Sequence, residues 1–226
     1  MPDRWFAGKT FILRCDAATL LDDDATLVED IAILCEAGVA PVIVAPDSSS
    51  ARALVLRINR SENRAVGVSG ADGALLPRGA NGVGNVQPEV LTALLSAGFV
   101  PIVEPLAFAP FPASEECVEA DDVARAIGVA MHAARALFFH RSGSIADPQT
   151  NIPIAELTAA EALTLADDLR VPADVRRTMR AAARGVRAGI GAAEIFDGRI
   201  AHAAVIELLT EQHLGTRVVG GVVLAA

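Results

Sequence analysis

Gly38-Val39-Ala40-Pro41-Val42-Ile43-Val44 decides the fold. It is an apolar run with no polar alternation, led by a glycine that can end a helix, so it reads as a strand buried on both faces. Upstream, Asp22-Asp23-Asp24 supplies carboxylates to the start of a helix carrying Leu27, Ile31 and Leu34 on one face. Before that, Lys9 to Arg14 reads as another strand. Downstream, Ser48-Ser49-Ser50 is read as the cap of a helix bearing Ala53, Leu54, Leu56 and Ile58, followed by a strand from Arg64 to Val68 and a turn over Ser69 to Gly73.

The same rhythm recurs. A helix over 88–97, a strand over 99–103 and a proline-rich stretch from Pro105 to Pro112 come next, the last read as an internal boundary. Beyond it the pattern predicts helices over 121–135, 158–168, 172–187 and 201–212, with strands over 136–140, 193–196 and 217–224. Alternating elements of this kind predict a three-layer αβα sandwich around a mostly parallel sheet. One structural domain is expected, with an N-terminal lobe over 1–112 and a C-terminal lobe over 113–226. Periodicity alone says nothing about the ligand.

Composition narrows the function. The net charge of -9 disfavours nucleic acid and anionic membrane, which need a clustered positive field. Cys15, Cys35 and Cys117 are scattered and are read as packed, reduced thiols. No apolar run approaches a membrane span, and Met1-Pro2-Asp3-Arg4-Trp5 has no signal-peptide character, so a cytoplasmic protein is expected. Of the 19 basic residues only Lys9 is a lysine.

Five collinear segments resemble the acetylglutamate kinases of the amino-acid kinase family. They are Phe6-Ala7-Gly8-Lys9-Thr10, Glu36 to Val44, Arg64-Ala65-Val66-Gly67-Val68-Ser69-Gly70-Ala71-Asp72-Gly73, Leu94 to Ile102, and Phe196-Asp197-Gly198-Arg199 with His202-Ala203, Glu207-Leu208 and Gly215-Thr216. The resemblance implies the amino-acid kinase (carbamate kinase-like) fold. It also implies an ATP- and magnesium-dependent phosphotransferase, and here the sequence departs from the pattern.

Phosphoryl transfer is catalysed chiefly by positive charge and backbone donors arranged around the moving group. The family's first catalytic lysine and glycine pair are replaced by Arg14-Cys15-Asp16-Ala17, and its glycine loop by Ala45-Pro46-Asp47-Ser48-Ser49. Asp16 and Asp47 bring negative charge toward a triphosphate; like charges ~4 Å apart repel by about 1 kcal/mol in water and more where water is excluded. The family's substrate-binding segment of some thirty residues has no counterpart. Arg52, Arg57 and Arg60 are read as solvated helix-face residues, with replacement of the lost substrate arginine as the alternative. The family's catalytic aspartate survives as Asp121, but Thr178 falls at the second lysine position.

The resemblance thus leaves no intact catalytic set. Asp121 and Arg14 are the remnant candidates; Arg176, Arg177 and Arg180 are weak candidates for nucleotide contacts, read first as a polar helix face. Ser48, Ser49, Cys117 and Glu119 are weak candidates for substrate contacts. Glu115, Glu116, Glu119, Asp121 and Asp122 are read as carboxylates crowding a helix start, and no metal site is expected. His132, His140, His202 and His213 lack metal-ligand spacing.

The expectation is a pseudokinase with no cofactor, acting as a regulatory, scaffold or ligand-binding subunit. It would pair with itself or with a related kinase through the helix over 51–58. The alternative is a diverged kinase of a small carboxylate or amino acid, using ATP and Mg with arginines in place of lysines. Arginine sensing through an N-terminal helix is not expected from Met1 to Trp5.

Overall fold

A computed structural model describes residues 6–21, 26–60, 64–80, 82–210 and 212–221, without the side chains of 18 and 21. The expectations for Met1–Trp5, Asp22–Asp24 and the end of the last strand lie outside the described residues.

The first half holds β1 (Thr10–Arg14), α1 (Ala17–Leu21), α2 (Leu27–Glu36), β2 (Ala40–Val44), α3 (Ser48–Asn59) and β3 (Ala65–Val68). A small hairpin, β4 (Arg78–Gly79) and β5 (Gly82–Val83), precedes α4 (Glu89–Ser96) and β6 (Val100–Val103). A second hairpin, β7 (Leu106–Pro110) and β8 (Ala113–Cys117), leads into α5 (Ala120–Ala130) and β9 (Arg135–Phe139). The chain continues with β10 (Glu156–Thr158), α6 (Ala159–Leu165), α7 (Ala173–Arg187), β11 (Ala192–Phe196), α8 (Ala203–Leu209) and β12 (Thr216–Val219).

Eight strands form one sheet in the order β10-β12-β11-β9-β1-β2-β6-β3. Every pairing in it is parallel except β11 with β12. Strand alternation divides the core. Ile12, Val42 and Phe138 face one side, under Leu91 of α4, Val123 of α5, Ala162 of α6 and Met179 of α7. Phe11, Leu13, Ile43 and Phe139 face the other, under Leu20 of α1, Ile31 of α2, Leu54 of α3 and Leu208 of α8. The expected three-layer αβα sandwich is the fold found. No helix among the described residues is long and apolar enough to cross a membrane.

The proline-rich stretch is a hairpin: Pro110 and Pro112 flank its tip, so the missing prolyl N–H groups cost the ladder little. Two sequence expectations are corrected. The helix expected over 121–135 ends at Ala130, because His132 turns left-handed with φ 50° and the chain enters β9 three residues later. The helix expected over 201–212 spans only 203–209, with His202 at φ 54° before it.

Candidate functional site

The parallel strands β1, β2 and β9 end level with one another, since Arg14 pairs with Val44 on one side and Phe138 on the other. The strand order reverses around β1, and open α/β sheets place their crevice at such a switch point, beyond the carboxyl ends. Here the turns after the strands bring Arg14 and Asp16, His140 and Arg141 to a cavity of about 190 Å³ closed by Asp121 of α5 and Asp174, Arg177 and Thr178 of α7. The first turns of α5 and α7 thus face the end of β1.

Asp121 is the hub. Its carboxylate is 2% exposed and forms an ion pair with Arg14, Oδ1 lying 2.5 Å from Nε. Oδ2 accepts a hydrogen bond from the Thr178 hydroxyl at 2.7 Å. Thr178 and Arg14, the two residues read from the sequence as replacing lysines, therefore converge on Asp121 from 57 and 107 residues away along the chain. Asp121 is thus ion-paired with an arginine and hydrogen-bonded to a hydroxyl, while the buried Oδ1 and Arg14 Nε make no hydrogen bond. Lys9 is exposed before β1, whose five residues put it about 16 Å from Arg14.

The rest of the cleft is also paired internally. Nε2 of His140 lies 3.6 Å from Asp174, and its Nδ1 accepts the Ser142 N–H at 3.2 Å. Burial pushes the His140 pKa below its ordinary value; Asp174 opposes this and the Arg14 charge adds to it. Arg177 meets Glu119 at 3.4 Å, so of the three candidate arginines one lines the cavity. Arg180 turns away and donates to the Ala166 carbonyl at 2.6 Å and to Asp167 at 2.9 Å. Arg176 is half-buried beside Asp168.

Cys117 and Glu119 border a neighbouring cavity of about 530 Å³, with Arg14, Pro46 and Arg78. Cys117 is exposed rather than packed, because β8 pairs only with β7 and carries exposed residues throughout. Arg57, read as solvated, instead reaches α1 and donates to the Leu20 carbonyl at 2.5 Å. The acidic cluster disperses into pairs: Glu116 with Arg78, Asp122 with Arg125, and Glu115 accepting the Ala71 N–H. Among the described residues no group of acidic, histidine or cysteine side chains has metal-site geometry.

The capping expectation is corrected as well. Asp47, not a serine, is the N-cap of α3, and its carboxylate accepts from the Ser50 N–H at 2.8 Å and from the Ser49 and Ser50 hydroxyls. These bonds hold its pKa below the ordinary carboxylate value. Ser48 and Ser49 lie in the first helical turn and line neither cavity described above. Asp16, like Asp47, accepts the backbone N–H three residues on, that of Thr19, at 2.7 Å. An aspartate directly before a helical run is a cap signal, so Asp47 was legible. The His140–Asp174 and Arg177–Glu119 pairs left no local signal.

No family model matches the chain. It is 33% identical over 178 residues to the acetylglutamate kinase of Parasynechococcus marenigrum, covering 74% of this chain and 61% of that protein. With the acetylglutamate kinase of Gluconacetobacter diazotrophicus it shares 29% identity over 276 positions, covering 96% of this chain and 88% of that one. That alignment is longer than the 226 residues present here, so at least 50 of its positions have no counterpart in this chain. N-acetylglutamate synthase from Neisseria gonorrhoeae superposes with a TM-score of 0.81 at 18% identity, over 96% of this chain and 61% of that one. Carbamate kinase from Giardia lamblia gives 0.68 at 12% identity over 95% and 99%. Sequence relatives and fold agree: the chain is acetylglutamate kinase-like and has the amino-acid kinase fold.

Proposed function

We propose that this chain is a pseudokinase, an acetylglutamate kinase-like protein without phosphotransfer activity that serves as a regulatory, scaffold or ligand-binding subunit. The carrying observation is the state of Asp121: one oxygen is ion-paired with Arg14, the other accepts from Thr178, and the only lysine stands at the far end of β1. Loss of one preorganised charged group at such a centre costs on the order of 10²–10³-fold in rate. Two lysine positions are changed here. The turns after β1 and β2 add to this, since Asp16 and Asp47 already take backbone N–H groups that would otherwise face an anion. Titration calorimetry with ATP and magnesium tests the reading. No heat at millimolar nucleotide supports it, and ATP-dependent phosphorylation of a small carboxylate overturns it.

A second reading, a diverged ATP- and Mg-dependent kinase of a small carboxylate or amino acid, is favoured by one observation. Arg14, Arg141 and Arg177 line the same cavity. Turnover by the wild type that disappears in Arg177→Met would establish it.

For the partner we propose a second copy or a related kinase, docked on α3. Ala51, Leu54 and Ile58 face the core, so the contact surface would be the opposite stripe, with Arg52 and Leu56, the latter 65% exposed. Light scattering that returns a monomer at high concentration, with no complex on adding an acetylglutamate kinase, removes this assignment.

A further inference from the structure

Glu194 is a buried carboxylate that the cleft does not use. It sits between Ala193 and Ile195 of β11, which face the α4–α7 side, so alternation turns it toward α8. There it is 3% exposed. Oε1 lies 3.3 Å from Arg135 Nε on β9 and 3.6 Å from Arg217 Nε on β12. Oε2 and Arg217 Nε, both buried, have no hydrogen-bond partner. From α8 a second buried carboxylate, Glu207, adds like charge; it accepts the Leu214 N–H at 2.7 Å and lies 3.3 Å from His213 Nδ1. The Arg135 guanidinium also covers the Phe6 ring at 5.4 Å.

Two arginines that do not fully hydrogen-bond a carboxylate repay its desolvation poorly. Burial accordingly pushes the Glu194 pKa up to about 7, against the pull of Arg135 and Arg217. The strand carrying Arg217 also anchors a distant segment. Thr216 Oγ1 accepts the Ile145 N–H at 2.8 Å and donates to the Ile154 carbonyl at 2.6 Å, and the Arg217 N–H donates to the Ala155 carbonyl at 2.9 Å. Residues 145–148 and 151 of this segment wall a cavity of about 310 Å³, opposite Arg170 and Val171.

We propose that the proton on Glu194 is a switch that sets how firmly β12, and through Thr216 the segment 145–155, is held to the sheet. The sign follows from linkage. When β12 lifts away, Glu194 meets water and binds its proton less tightly than in the closed sheet. Falling pH therefore favours the closed form and rising pH the open one. The dependence runs between the ordinary value of 4.5 and about 7, and is flat above.

Hydrogen exchange on the whole chain reads this directly. After correction for intrinsic exchange, protection of the Val218, Ile145 and Ile154 amides should fall about tenfold per pH unit from pH 5.5 to 6.5 and level off above 7.5. In Glu194→Gln it should not vary with pH over that range. Arg217→Met, which removes one of the opposing charges, should move the levelling point upward and serves if Glu194→Gln does not fold. Flat protection in the wild type, an unchanged slope in Glu194→Gln, or a Glu194 carboxyl carbon titrating near 4.5 by NMR overturns the proposal.

Discussion

The Thr178 hydroxyl donates a 2.7 Å hydrogen bond to the carboxylate oxygen of Asp121 that Arg14 leaves free, so α7 is fastened to α5 at the mouth of the cleft. The two side chains are 2% and 1% exposed. A polar contact this deep is stabilising while complete and costly when broken.

Asp121→Asn should therefore act as a stability mutation. It leaves Arg14, whose side chain is 15% exposed, without its counter-charge. A loss of about 3 kcal/mol is expected, against about 1 kcal/mol for Thr178→Val. Urea unfolding measures both, and equal small losses would mean that the Arg14–Asp121 pair contributes little.

His140 should titrate below 6.5 in an NMR pH series. Its neutral form is the one the fold buries, so the stability it contributes is present above that value and fades as the pH drops below it. Asp174→Asn removes the opposing carboxylate and should move the midpoint further down. A midpoint above 6.5 would contradict the burial described for this ring.

Asp47→Ala should cost about 1 kcal/mol through loss of the α3 cap. Because its pKa is lowered, the contribution is present above the ordinary value of 3.8 and is lost as the pH falls through its own lower one. The stability difference between wild type and variant should therefore shrink in acid. Ser48→Ala, at a position that accepts no capping bond, should be near neutral.

Gly198→Ala tests a close approach next to β11. A Cβ there would lie 2.3 Å from Thr19 Oγ1 and under 3.0 Å from two atoms of Phe139, both buried. Overpacking of about 2 kcal/mol or more is expected. Adding Thr19→Ala should recover part of it, because the Phe139 contact remains; full recovery would show that the ring yields.

The layer order was legible in the sequence because unbroken apolar runs such as Val39–Val44 need helices on both faces of the sheet, and glycines mark where the helices end. The scarcity of lysine was legible too, since the single lysine, Lys9, can serve at most one site. Helix boundaries failed where a histidine takes a left-handed turn, a choice set by neighbouring packing.

Only the tertiary structure decided what each charge faces. Residues 14, 121 and 178 meet because parallel strands end level and two helices start at the same edge, and no spacing along the chain encodes that meeting. For the same reason Glu194 was invisible in the stretch Ala-Ala-Glu-Ile-Phe. Its burial depends on arginines supplied by two neighbouring strands and a carboxylate supplied by a helix. Local sequence encodes which face a side chain takes, whereas the charges it meets there depend on long-range register.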